Sequence, residues 1–134
     1  MVGTPNGFRT PLSRARGLGA AKHGAGHFIA ERVSGIALIP LVLWAAFSGP
    51  MLAKADFATV AVWLSQPLNA VLAGLLVVVG FFHLRLQMQV VIEDYIYGFV
   101  SKTALLLANL FVCVLGAALG VFAILKVALL SGAV

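Results

Sequence analysis

Three apolar stretches, residues 33–52, 67–92 and 103–130, take up more than half of this 134-residue chain. Each reaches the roughly 20 residues that a helix needs to cross about 30 Å of hydrocarbon. The expected fold class is therefore all-α and integral to the membrane, with three transmembrane helices. The first stretch is uncharged and contains Pro40, which a membrane helix tolerates as a kink. The second opens at Pro67, suited to a first helical turn, and only His83 and Arg85 interrupt it. Composition agrees, because 62% of residues are hydrophobic and 10% charged, whereas a soluble domain carries about a quarter charged residues. Disorder is excluded by the same apolar mass. No room is left for a soluble catalytic domain, which favours a subunit role.

The polar segments between these stretches set the expected orientation. Residues 1–32 form a basic tail that includes Arg9, Arg14, Arg16, Lys22 and Arg32, whereas the connector at 53–66 holds only Lys54 as a base. The positive-inside rule then puts the amino terminus inside, the link at 93–102 on the same face, and the carboxyl end at 131–134 outside. A net charge of +5 concentrated in a tail suits an anionic membrane surface, with no basic groove for nucleic acid. The tail has no apolar core next to its basic start, so it reads as retained rather than cleaved. The lack of an acid-poor amphipathic transit helix favours a bacterial inner membrane over a mitochondrial one. The single cysteine, Cys113, excludes an internal disulfide and any Cys-built zinc or iron–sulfur site within the chain.

His83 carries the most chemical information. An ionisable residue at mid-span is costly and usually faces a bundle interior, a cavity or a cofactor. The bland alternative is a neutral imidazole hydrogen-bonded to a neighbouring helix. Imidazole is also an axial ligand for haem iron. His23 and His27 lie in the tail, so a bis-histidine haem would have to be shared with another polypeptide. Asp94 lies eleven residues beyond His83, within about 20° of the same helix face and about 16 Å further along. Gln87 falls on that stripe, and Tyr95 follows at the interface. A carboxylate beside a phenol at that level suits proton delivery and a hydrogen bond to a reducible headgroup, whereas the bland alternative is an aromatic belt with solvated acids. Arg85 points away from His83. Arg32 and His27 suit lipid phosphates or haem propionates. Gly116 and Gly120, in a GxxxG spacing, and Gly74 and Gly80 serve either internal packing or contact with a partner.

The stretch from His83 through Met88-Gln89-Val90 to Asp94-Tyr95 resembles the second-helix signature of the hydrophobic membrane anchor subunit of succinate dehydrogenase, respiratory complex II. The tail pieces at 9–19, at Gly26-His27-Phe28 and at Arg32-Val33 are similar to the alphaproteobacterial branch of that family. Gln87 departs from the pattern, since relatives often carry glycine there. The resemblance implies that His83 is one axial ligand of haem b, the other coming from the cytochrome b membrane subunit. It implies that Tyr95 hydrogen-bonds ubiquinone, that Asp94 organises that site, and that Arg32 and His27 lie near a propionate. FAD and iron–sulfur clusters would belong to the flavoprotein and iron–sulfur subunits. The chain would be non-catalytic alone, and nothing in it sets succinate oxidation against fumarate reduction. The competing expectation is a non-redox membrane protein, a transporter component or structural helper, with a His83–Asp94 proton path. Against it, no span holds a central acid and no inverted repeat is visible.

Overall fold

The computed structural model describes residues 21–131, with side chains from Gly24 onward. The tail bases Arg9, Arg14 and Arg16, the tail piece at 9–19 and residues 132–134 lie outside the described residues, as do the side chains of Lys22 and His23. The described residues form four helices: α1 (Ala21–Leu52), α2 (Phe57–Ser65), α3 (Pro67–Tyr95) and α4 (Phe99–Ser131). Three of these, Gly24–Leu52 within α1, Pro67–Tyr95 and Phe99–Ser131, are long and apolar enough to cross a membrane.

The helices extend further than the apolar runs. α1 is helical from Ala21 onward, so His27, Glu31 and Arg32 of the basic tail sit on a helix. Apolarity sets only the part of a helix that lies in hydrocarbon, and the backbone ladder continues past it. Pro40 and Pro50 both lie inside α1. Each lacks the N–H that would reach the carbonyl four residues back, a loss that helices in lipid absorb through their neighbours. The link after α3 is likewise shorter than the sequence suggests, because only residues 96–98 separate α3 from α4.

The connector at 53–66 contains a helix of its own. Asp56 caps α2 by accepting from the Thr59 backbone N–H at 3.2 Å and from the Thr59 hydroxyl. These bonds, the side-chain one foremost, hold the exposed Asp56 carboxyl below its ordinary pKa. Pro67 starts α3 directly after the Gln66 cap, and the Asn69 amide donates to the Trp63 carbonyl at 2.9 Å across that corner. Trp63 stacks on Trp44 of α1 with ring centroids 5.5 Å apart and planes at 21°, a favoured aromatic geometry.

α3 is the central element, with α1 against one side and α4 against the other, while α2 packs against α4 and α3. Its sequence provides for this with two stripes offset by two residues, or about 200° around the helix. Val77 and Phe81 face α4, and His83 faces α1. Cβ atoms placed on Gly116 and Gly120 would come within 2.5 Å of Phe81 and 2.7 Å of Val77. These two glycines are therefore grooves for α3 side chains, the internal-packing reading of the GxxxG spacing. Gly74 has nothing within 4 Å.

The few side chains below a tenth exposed among the described residues are Leu41, Ala61, Leu86, Ile92 and Cys113, with Ser34 as the polar member. Substituting Gly120 by Ala should destabilise the chain by about 1–3 kcal/mol, the usual cost of overpacking, because the stiff Val77 side chain must move. Gly74→Ala should be neutral or stabilising through helix propensity. Denaturation in detergent, followed by circular dichroism, compares the two.

Candidate functional site

The contact between α1 and α3 is built on polar groups inside apolar helices. Ser34 is 6% exposed, and its hydroxyl lies 2.9 Å from His83 Nδ1. The same hydroxyl donates to the Glu31 carbonyl, one turn back, at 3.1 Å. The neighbouring Gly35 provides close approach, since a Cβ there would lie 3.4 Å from His83 Cε1. On the other side of the ring, Gln87 Nε2 lies 3.4 Å from His83 Nε2 and donates to Glu31 Oε1 at 2.8 Å. His83 and Gln87 are four residues apart, so one helix face presents both to α1.

Glu31, Arg32, Gly35, Ile36, Ile39, His83 and Gln87 line a cleft of about 250 Å³ between the two helices. Isoleucines make its apolar wall and Arg32 brings a cation. The Arg32 guanidinium lies over the Phe28 ring, 5.1 Å from its centroid, a cation–π arrangement that holds the charged head beside an apolar helix. His27, one turn before Glu31, is half-buried, and its Nε2 is buried without a hydrogen-bond partner among the described residues. A buried polar atom of that kind is uncommon.

Asp94 and Tyr95 lie at the end of α3 and are exposed, Tyr95 at 76%. Tyr95 is about 18 Å along the helix from His83 at 1.5 Å per residue. The structure thus brings together His83, Arg32 and Gln87, and leaves Asp94 and Tyr95 as a separate pair on an open end. Among the described residues, no chain of hydrogen bonds links His83 to Asp94. Arg85 faces α4, where it lines a second cleft with Phe82, Cys113 and Val114. Its backbone carbonyl accepts from the Asn109 amide at 3.0 Å.

Glu31 and Ser34 are the residues that sequence reasoning missed. A signal was present, since Glu31 is the one acid before the first apolar run and Ser34 interrupts that run beside a glycine. Interhelical hydrogen bonds in membranes contribute about 0.6 kcal/mol on average and up to about 1.7. A double-mutant cycle of Glu31→Ala and Gln87→Ala, read by unfolding in detergent, should give a coupling of about 1 kcal/mol. Additive single effects would mean that the bond does not hold α1 to α3.

Residues 6–124 match the family model described as succinate dehydrogenase/fumarate reductase transmembrane subunit. Among similar proteins, a succinate dehydrogenase hydrophobic membrane anchor subunit of Rickettsia conorii is 33% identical over 106 residues, covering 78% of this chain and 84% of the relative. Its counterpart in Rickettsia bellii is 33% identical over 90 residues, covering 66% and 71%. The Paracoccus denitrificans protein of the same name is 29% identical over 107 residues, covering 78% and 81%. No solved structure gives a significant match. The match spans the tail, the cleft between α1 and α3, the Asp94-Tyr95 end and most of α4, and the chain belongs to the succinate dehydrogenase/fumarate reductase transmembrane subunit family.

Proposed function

We propose that this chain is the membrane anchor of a succinate:ubiquinone oxidoreductase, with His83 as one axial ligand of a haem b shared with a cytochrome b membrane subunit. The observation that carries this reading is the His83 imidazole, held at mid-helix by Ser34 and opening onto a cleft with an arginine at its edge. Such a haem would take a nitrogen ligand from His83, an apolar wall from Ile36 and Ile39, and a cation for its propionates from Arg32. His27, on the same helix, has a ring nitrogen without a partner among the described residues and would serve as a second propionate partner. The cleft is smaller than the roughly 300–1,000 Å³ of a complete small-ligand site. Such a volume suits one wall of a site whose other wall, and second ligand, come from the partner. The haem would supply a one-electron store beside the quinone site.

At the inner end of α3, Tyr95 would donate its phenolic hydrogen to a ubiquinone carbonyl, and Asp94 would orient that site and hold a proton for the reduced headgroup. Their exposure suits this role, because a headgroup must reach them from the lipid or from a neighbouring subunit. The basic tail argues for an inside amino terminus, with the flavoprotein and iron–sulfur subunits docked on that face of a bacterial inner membrane.

A reduced-minus-oxidised spectrum of the detergent-solubilised complex, isolated through this chain, tests the reading. The wild type should show a low-spin b-type signal together with flavoprotein and iron–sulfur partners, and His83→Leu should lose or alter that signal. A normal signal in the variant would remove His83 as ligand, and a wild type with neither haem nor partners would overturn the anchor role. Tyr95→Phe should lower quinone reduction about tenfold or more while succinate oxidation by an artificial dye is unchanged. Full quinone reductase activity in that variant would exclude the hydrogen bond.

A further inference from the structure

The groups around His83 offer a consistent set of partners for one ring tautomer. A serine hydroxyl has one proton, and Ser34 has the Glu31 carbonyl, 3.1 Å away, as an acceptor for it. With that proton on the carbonyl, Ser34 Oγ accepts from His83 Nδ1–H at 2.9 Å. The other nitrogen is compatible with the same tautomer. Glu31 is an acceptor, so the Gln87 group facing it at 2.8 Å is the NH2, and that NH2 also faces His83 Nε2 at 3.4 Å. An amide NH2 in that position suits a lone pair on Nε2. The contact from Gln87 is long for a hydrogen bond and holds that lone pair only weakly.

We propose that Ser34 is a positioning residue for His83, selecting the tautomer whose Nε2 lone pair is available to iron and fixing the plane of the ring. The proposal rests on the haem reading above. Histidines that ligate metals almost always donate their other ring N–H to a neighbouring acceptor, which sets orientation and raises ligand basicity. Ser34 fills that part from α1, a different helix from the one that carries the ligand. Its own orientation is set by the helix turn beneath it, so the arrangement depends on how α1 and α3 pack.

The test uses the complete detergent-solubilised complex carrying Ser34→Ala, Ser34→Thr or Ser34→Val. Electron paramagnetic resonance of the oxidised haem and a redox titration of its absorption band are the readouts. Threonine keeps an acceptor oxygen and valine has the same shape without it, so that pair separates the hydrogen bond from packing. Loss of the acceptor makes the imidazole a weaker donor to ferric iron. Ser34→Ala and Ser34→Val should therefore move the low-spin g values and raise the midpoint potential, by on the order of a tenfold change in relative ferric and ferrous affinity, or about 59 mV for one electron. Ser34→Thr should stay close to wild type. Identical g values and potentials in the threonine and valine variants would overturn the role of Ser34 even with haem present. A wild-type complex without b-type haem would overturn the underlying haem reading instead.

Discussion

A histidine ring in the middle of an apolar helix needs partners for two nitrogens, and in lipid none can come from water. The chain meets this need with Ser34 of α1 on one nitrogen and, at the other, Gln87 of α3 itself, tied across to Glu31 of α1. The geometry of the site depends on that requirement. It brings α1 and α3 together at Gly35, leaves Ile36 and Ile39 as the wall of a cleft, and puts Arg32 at its edge. The opposite side of α3 is set by shape alone, with Phe81 and Val77 seated in the glycine grooves of α4. One helix thus has a chemically specified face and a sterically specified face about 200° apart.

The two faces suit a subunit that is incomplete by itself. The α3–α4 side closes on shape, whereas the α1–α3 side leaves a cleft that the His83 imidazole lines. Membrane helices gain no hydrophobic stabilisation from packing on one another in lipid, so shape and hydrogen bonds decide which faces close. The Asp94-Tyr95 pair at the end of α3 extends the same logic along the helix. It is about 16–18 Å from His83 along the helix, a separate pair on an open end.

Much of the architecture was legible in the sequence because length and apolarity govern what crosses a membrane. The three long apolar helices, the mid-helix position of His83 and the opposed direction of Arg85 follow from run length and helical spacing. Helix ends were not legible. α1 continues through a polar stretch back to Ala21, and Asp56 with Thr59 forms a capped helix inside the connector, both decided by backbone hydrogen bonding that hydropathy does not report. The polar partners of His83 were equally hidden. Ser34 and Glu31 lie some fifty residues before it, and only the packing of α1 on α3 joins them. Gln87 stood out as a departure from the family pattern, but its bond to Glu31 required the fold.

The central claim is that His83 presents its Nε2 to a haem iron from a ring anchored by Ser34. A side-chain-resolution density map of the assembled complex tests it most directly. The account predicts iron within bonding distance of His83 Nε2, a second histidine ligand from a different subunit, and Nδ1 within hydrogen-bond reach of Ser34 Oγ. A haem ligated by two histidines of the partner, or a His83 ring turned toward lipid, would contradict it.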